Sequence, residues 1–240
     1  MTPKNLKIAT WNLDHPKPNS WKKKPHIEAQ IQRVDADIWI LTETNNLAID
    51  LSKNYHKFTT TEDFKKDSYT TIWVRSSFSG HLLNTFDSDI AVCVSLNLLS
   101  GNLLIYGTII TWHGDRGKDG QSKNWEEHYK SIQLHGDDWH RLLQENSGSG
   151  LLVAGDFNQS RDESNWYGTE KGRALLTEQL KRNHLVCLTD ELKPMQRHNI
   201  DHICLSEDWA EISLVACWEG RTEDDIKLSD HNGVYVEITL

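Results

Sequence analysis

Nine short apolar runs recur along this chain of 240 residues, and their number and spacing limit the folds that it can adopt. Each run is rich in β-branched or aromatic residues and is bounded by turn-forming residues, which is typical of β-strands. Helical spacing of apolar residues appears in three other stretches. Many strands with a few helices between them indicate an α/β fold in a single domain. The predicted strands cover residues 6–13, 37–43, 70–74, 90–96, 103–111, 151–154, 200–205, 212–216 and 234–239, and the predicted helices cover 26–34, 125–144 and 171–181.

Composition limits the class of protein further. Apolar residues make up 37% of the chain and charged residues 25%, which excludes a disordered or low-complexity chain. The formal net charge of −9 argues against non-specific duplex binding through a broad basic surface, although a nuclease can still meet its substrate through a metal ion. The four cysteines form no CxxC pair, so we expect free thiols. No apolar run is long enough for a signal sequence or a membrane span, which favours a cytoplasmic protein without a membrane partner.

Side chains that can serve in catalysis stand at the ends of six predicted strands. Taken singly, each of them is explained by a turn or by a solvated strand end. Several carboxylates at neighbouring strand ends repel one another, however, unless a cation offsets their charge. The joint pattern therefore predicts a metal-binding active site at the rim of a sheet. The residues are Asn12, Glu43, His113, Asp156, Asn158, Asp201, Asp230 and His231.

Five motifs, TWN, LTE, GDFN, IDHI and SDH, follow one another between Thr10 and His231. In order and spacing they resemble the endonuclease/exonuclease/phosphatase superfamily, which includes deoxyribonuclease I, apurinic endonucleases, tyrosyl-DNA phosphodiesterases, inositol-polyphosphate 5-phosphatases and neutral sphingomyelinases. The resemblance implies one domain over residues 1–240 with a deoxyribonuclease I-like fold, in which two β-sheets pack face to face and helices flank them. It also implies phosphoester hydrolysis with Mg²⁺, for which Mn²⁺ can substitute.

The resemblance implies a metal-binding role for three residues. Glu43 of LTE matches the metal-binding glutamate of the family, and Asn12 of TWN matches the asparagine beside it, which helps to hold the metal and the phosphate. Asp230 of SDH matches an acidic residue close to the metal.

Five further positions match catalytic residues of the family. Asp156 of GDFN matches the aspartate near the attacking water, and Asn158 matches the asparagine that orients the phosphate. His231 matches the catalytic histidine, and Asp201 matches the carboxylate that orients it. His113 matches a second histidine of the deoxyribonuclease-like branches, where apurinic endonucleases usually carry tyrosine.

The residues alone leave the proton transfers open. A carboxylate next to His231 fixes its tautomer and stabilises the imidazolium, which suits either a general base or a phosphate-binding cation. Asp156 is the competing candidate for activation of the water. The other histidines are expected to be surface or core residues, and strand alternation predicts that His202 points away from Asp201.

Evidence for the substrate comes from two loops. Arg161 follows GDFN and is either a phosphate ligand or a loop arginine paired with a neighbouring acid. Trp166 in the same loop either stacks on a base or covers the edge of the domain. Lys22 and Lys23 follow the TWN motif in a basic loop that suits a phosphate backbone, although such a lysine run is more commonly a solvated turn. We therefore predict a nuclease with nucleic acid as its substrate and no obligate protein partner. The alternative is a phosphatase or phosphodiesterase acting on a small-molecule or lipid phosphate ester; a binding protein without catalysis is disfavoured because every matching position is filled.

Overall fold

The computed structural model describes residues 5–63, 66–162, 164, 166–192, 198–207, 209 and 211–239. The strands in these residues are β1 (Asn5–Asn12), β2 (Ile38–Asn45), β3 (Tyr55–Thr59), β4 (Asp67–Arg75), β5 (Gly80–Leu83), β6 (Ala91–Leu98), β7 (Gly101–Ile109), β8 (Gly150–Asp156), β9 (Leu185–Cys187), β10 (Asp201–Ser206), β11 (Glu211–Trp218) and β12 (Gly233–Thr239). The helices are α1 (Lys23–Val34), α2 (Glu126–Glu145) and α3 (Glu170–Arg182).

The strands form two six-stranded sheets that pack against each other. One sheet has the order β11-β12-β1-β2-β4-β3 and the other has the order β5-β6-β7-β8-β10-β9. Both sheets are mixed, because β1 pairs with β2 and β7 pairs with β8 in parallel while the other pairs are antiparallel. Alternate apolar residues of the inner strands point to the space between the sheets and form the central core, which includes Ile8, Ile40, Val94, Ile105 and Ile203.

The helices cover the outer faces of the sandwich. Helix α1 buries Ile27, Ile31 and Val34 against the outer face of the first sheet. Helices α2 and α3 cover the second sheet and form a separate apolar core with its outer face. The predicted apolar stripe of α2 lies in this outer core, where Ile132 and Trp139 are fully buried. The result is a single domain with the layer order helix, sheet, sheet, helices, as the fold prediction requires.

The nine predicted strands and three predicted helices are all present, with ends shifted by a few residues. Strands β3, β5 and β9 were not predicted. All three lie at sheet edges or next to them and are short, so they carry few of the buried alternating residues that identify a strand in sequence. The cysteines are free thiols, as expected. Among the described residues, no helix is long and apolar enough to cross a membrane.

The topology brings several strand ends to one edge of the sandwich. Asp156 ends β8 and Asp201 begins β10, and the two residues lie opposite each other across these antiparallel strands. Asn12 ends β1 in the other sheet, where it pairs in register with Thr42, next to Glu43. The predicted catalytic residues of both sheets therefore meet at this edge.

Candidate active site at the edge of the two sheets

Three ionisable side chains form the centre of the site. Ligand atoms of Asp156, Asp201 and His231 all lie within 4.8 Å of one another. His231 Nδ1 lies 2.6 Å from Asp201 Oδ2, which is the distance of a strong charge-assisted hydrogen bond. The other ring nitrogen, Nε2, lies 3.9 Å from Asp156 Oδ2. The imidazole therefore stands between two buried carboxylates, one of which holds it by a direct hydrogen bond.

The loop that carries His231 is fixed to strand β1. The Ser229 hydroxyl donates to the carbonyl of Asn12 at 2.7 Å and accepts from the His231 amide at 3.0 Å. The indole N–H of Trp11 donates to the His231 carbonyl at 3.2 Å. These bonds fix the position of the histidine backbone, so the ring is oriented before any substrate binds.

The carboxylate of Asp156 accepts hydrogen bonds from two asparagines. Asn12 Nδ2 donates to it at 3.1 Å and so connects the two sheets. Asn158 donates to it from its backbone N–H at 2.8 Å and from Nδ2 at 3.1 Å. Asn158 adopts a φ of 48°, a left-handed conformation that is strained in most residues and is often found at functional sites.

The glycine of GDFN is required by packing between the parallel strands β7 and β8. Gly155 has a φ of 138°, and a Cβ atom placed on it would lie within 1.9 Å of the Thr108 carbonyl oxygen. A side chain at this position would push β8 away from β7, and Asp156 with it. Glycine at this position therefore serves the placement of Asp156.

Glu43 faces the same space from strand β2. Its backbone has a φ of 45°, and its half-buried carboxylate lies 3.5 Å from His15 Nε2. It lines a cavity together with Asp156 and His231. Glu43 and Asp156 thus present carboxylates from opposite sheets to one space, as the pattern of strand ends predicts.

The electrostatics of the centre show an excess of negative charge. Burial raises the pKa of Asp156 to about 7, the nearby charge of His231 opposes this shift, and the carboxylates of Asp201 and Glu43 add to it. Burial disfavours a charged imidazole at His231, but the carboxylates of Asp201 and Asp156 raise its pKa to about 10. A cation in this space would stabilise the ionised form of Asp156.

The donor atoms fit a divalent cation that prefers hard oxygen ligands. Asp201 Oδ2 and His231 Nδ1 are hydrogen-bonded to each other, so neither atom is free to bind a metal. Although Asp156 lies close to both residues, the three do not form a set of three available ligands. The oxygens of Glu43 and Asp156, with Asn12 beside them, are the set that suits such a cation. The second oxygen of Asp201, Oδ1, is buried and has no hydrogen-bond partner among the described residues.

Two cavities meet at this centre. The Trp166 cavity has a volume of about 290 Å³ and is lined by Asn158, Trp166, Tyr167, His198, Ile200, Asp201, Asp230, His231 and Asn232. The Trp112 cavity has a volume of about 530 Å³ and is lined by Glu43, Tyr69, Ile90, Ile109, Thr111, Trp112, Asp115, Asp156, Asn158, Tyr167 and His231. Asn158, Tyr167 and His231 belong to both, so the two cavities form one groove that passes over the centre formed by Asp156, Asp201 and His231.

The structure places the last two predicted site residues, His113 and Asp230, next to Tyr167 and in the lining of the Trp166 cavity. His113 Nδ1 lies 3.0 Å from the Tyr167 hydroxyl, and its ring packs against Trp125. It therefore reaches the groove through Tyr167. Asp230 is exposed and lines the Trp166 cavity.

The predicted substrate-binding residues divide into two groups. Trp166 lines its cavity, as a stacking residue should. Arg161 donates to the Thr177 hydroxyl of α3 at 2.8 Å, and its neighbour Asp162 pairs with His198. Lys22 lies over the ring of Trp21 at 5.0 Å, and Lys23 is 3.8 Å from Asp14. Neither lysine is among the residues that line the two cavities within the described part of the chain.

Some residues of the site were not found from the sequence. Ser229 carries a signal, because it is the first residue of SDH, but its role as a link to β1 depends on the tertiary fold. His15 and His198 are exposed, as expected for surface residues, but their place in the site was not predicted: His15 contacts Glu43 and His198 lines the Trp166 cavity. His202 was assigned correctly: it is buried, with Nε2 3.1 Å from the Gln159 carbonyl.

The layered sandwich and the histidine–carboxylate centre at its edge define the class of deoxyribonuclease I-like proteins. The chain belongs to the Endonuclease/Exonuclease/phosphatase family, whose sequence model matches residues 9–231. Members of this family are phosphoester hydrolases that generally depend on a divalent metal. No curated protein sequence matches the chain.

Solved structures with the same fold share little sequence with this chain. The endonuclease domain of TRAS1, a telomere-specific non-LTR retrotransposon, is 17% identical with a TM-score of 0.66, and the match covers 99% of each chain. The apurinic endonuclease LMAP from Leishmania major is 15% identical with a TM-score of 0.75 over 98% of this chain and 88% of that one. The human Nocturnin catalytic domain is 17% identical with a TM-score of 0.69 over 99% and 93%. At these identities the comparisons establish the fold.

Proposed function

We propose that this protein is a Mg²⁺-dependent phosphodiesterase that hydrolyses nucleic-acid phosphodiester bonds, with Mn²⁺ as a substitute metal. The observation that carries the proposal is His231, which is hydrogen-bonded to Asp201 at 2.6 Å and lies 3.9 Å from Asp156 at the centre of an open groove. The similarity to a retrotransposon endonuclease domain and an apurinic endonuclease supports nucleic acid as the substrate. We extend the domain to the whole chain, residues 1–240, and its cytoplasmic location stays a prediction.

In this proposal Glu43 and Asn12 hold the cation, with Asp230 at the edge of the groove and Asp156 facing it. When bound, the metal neutralises charge on the phosphorus oxygens and polarises a water molecule. These ligands are hard oxygens, which matches the preference of Mg²⁺ and Mn²⁺. The chain itself supplies the remaining groups.

The two pKa shifts favour a particular assignment of proton transfers. Because the pKa of His231 is raised to about 10, its imidazole is protonated at neutral pH and suits a cation or a proton donor toward the phosphate. Burial raises the pKa of Asp156 and a bound cation would lower it again, so the ionised carboxylate suits a general base for the attacking water. Asp201 then acts as a positioning residue that holds the imidazolium, and Asn158 contacts the phosphate.

The remaining predicted residues take outer roles. His113 positions Tyr167 by its 3.0 Å contact, and Tyr167 lines both cavities. Lys22 and Lys23 bind phosphates beyond the groove. A phosphate contact by Arg161 requires that its hydrogen bond to Thr177 be exchanged.

The test is a hydrolysis assay with single- and double-stranded oligonucleotides, in EDTA and then with added Mg²⁺ or Mn²⁺. We expect EDTA to abolish activity and either metal to restore it. His231→Ala should lower kcat by about 10²- to 10⁴-fold, the range of a general acid–base group. The matched control is His81→Ala, because His81 is exposed on the edge strand β5.

Undiminished turnover in EDTA would refute metal dependence, and a wild-type kcat in His231→Ala would remove the histidine from the mechanism. Inositol phosphates and a lipid phosphodiester serve as parallel substrates. Faster turnover of either than of any oligonucleotide would favour the small-molecule or lipid alternative.

A further inference from the structure

Exposed aromatic side chains are concentrated around the groove. Five large aromatic residues among the described part of the chain are exposed, and three of them, Tyr69, Trp112 and Trp166, line the two cavities. These three are 51%, 53% and 51% exposed. Leaving such large rings in water forgoes the free energy of burial, so their grouping at one site indicates a binding role.

The rings lie on both sides of the catalytic centre. Trp166 is in one cavity and Tyr69 and Trp112 are in the other, while His231 is common to both cavities. Neighbouring rings support each indole: Trp166 has His198 at 6.1 Å with an interplanar angle of 33°, and Trp112 packs edge-on to His113 at 5.0 Å. Two supported aromatic side chains therefore line the two cavities that share His231.

The charges of the groove disfavour a duplex. No lysine or arginine is among the described residues that line either cavity, whereas five acidic residues are: Glu43, Asp115, Asp156, Asp201 and Asp230. Proteins hold duplex DNA mainly through lysine and arginine contacts to several phosphates on both strands. Stacking of an unpaired base on an aromatic ring needs no such contacts and works with any base.

We propose that the groove selects single-stranded nucleic acid and binds one unpaired base on each side of the scissile phosphate, one on Trp166 and the other on Trp112. This inference rests on the proposed phosphodiesterase function. In a duplex the flanking bases are paired and stacked on each other, so neither face of the groove can receive them.

The smallest substrate that tests the inference is the dinucleotide dTpdT, which has a single phosphodiester and a base on each side of it. Trp166→Leu and Trp112→Leu remove the flat ring and keep an apolar side chain, and Trp166→Phe and Trp112→Phe are the matched variants that keep a ring. We expect each leucine variant to raise KM for dTpdT by about 5- to 150-fold, the contribution of one stacked base, with little change in kcat. The phenylalanine variants should recover most of the loss.

Two analogues of dTpdT, each lacking one base, assign the sides. The effect of Trp166→Leu should vanish with one analogue and that of Trp112→Leu with the other. A 12-nucleotide single strand should be cleaved with at least a tenfold higher kcat/KM than the same sequence in a duplex. Binding of a labelled phosphorothioate 12-mer with Mg²⁺, measured by fluorescence anisotropy, gives the affinity without turnover.

The outcomes separate the two proposals. Wild-type KM values in both leucine variants, or equal cleavage of single strand and duplex, would overturn the stacking inference while leaving the phosphodiesterase in place. Absence of any cleavage would overturn the proposed function, and the anisotropy measurement would still decide whether the two tryptophans bind bases. Loss of affinity in only one leucine variant would overturn the two-sided arrangement.

Discussion

The fully buried His135 on helix α2 should make the stability of this protein depend on pH in a defined way. Its Nδ1 lies 3.1 Å from the Tyr106 hydroxyl, its Nε2 lies 3.2 Å from the Thr108 hydroxyl, and its ring contacts Phe86 and Trp139. Burial lowers its pKa from 6.5 to about 3, which a hydrogen bond to a backbone carbonyl opposes only in part. The folded protein therefore keeps this histidine neutral at pH values where the unfolded chain protonates it.

The sign and size of the effect follow from proton linkage. Below about pH 6.5 the unfolded state binds a proton at His135 that the folded state does not bind, so the free energy of unfolding falls by about 1.4 kcal/mol per pH unit. At pH 5 the accumulated loss is about 2 kcal/mol, and it continues until the pH nears 3. The nearby charged groups do not remove the effect, because the buried carboxylate of Asp138 is already paired with Arg141 at 2.6 Å.

The assay is urea denaturation of wild type and His135→Gln between pH 5 and pH 7.5 in EDTA. Other titrating groups cancel in the difference between the two proteins. We expect His135→Gln to be less stable at pH 7.5, because it loses ring contacts, and the gap to shrink by about 2 kcal/mol at pH 5. His81→Gln, at an exposed position, should show a constant gap to wild type. A gap for His135→Gln that stays the same at both pH values would refute the reasoning.

Three further predictions concern the active site and its support. Asp201→Asn should lower kcat nearly as much as His231→Ala, and the double variant should be little worse than either single one because both residues act as one unit; additive losses in steady-state kinetics would contradict this. Gly155→Ala should lower the free energy of unfolding by about 3 kcal/mol or more, since the added Cβ meets the β7 backbone. The control Gly148→Ala, at a φ of 82° with open space around it, should lower it by about 1 kcal/mol. Equal urea midpoints for the two variants would contradict this prediction. Glu43→Gln should abolish the rise in melting temperature that Mn²⁺ gives the wild type, while its metal-free melting temperature stays unchanged or is higher. If Mn²⁺ raises the melting temperature of the variant as much as that of the wild type, Glu43 is excluded as a ligand.

The strands that form the core could be predicted from the sequence, because the apolar run that identifies each of them lies within the strand itself. A strand such as β8, buried along its whole length, appears in sequence as an uninterrupted apolar run. The edge strand β3 has only one buried residue among its five, so its pairing partner, and not its own composition, defines it. The same limit explains why β9, only three residues long, was not predicted.

Contacts between residues at strand ends could be predicted from the sequence, whereas contacts set by the packing of loops could not. The pairing of Asp201 with His231 over 30 positions was predicted from motif order, and the 2.6 Å distance agrees with it. The position of His113 was not predictable, because its partner Tyr167 is set by the packing of the loop before α3. Arg161 likewise turns toward Thr177, a contact that only the tertiary structure supplies.

The geometry of the candidate active site depends on the packing between the two sheets. Asp156 and Asp201 belong to one sheet, whereas Asn12 belongs to the other. The serine that holds the His231 loop, Ser229, is hydrogen-bonded to Asn12 and so to that second sheet. The distance between the imidazole and Asp156 therefore depends on how closely the sheets approach. A central core of tightly packed branched side chains fixes that approach, because such interiors resist compression and expansion. The same apolar runs that specify the fold thus set the distances on which the proposed proton transfers depend.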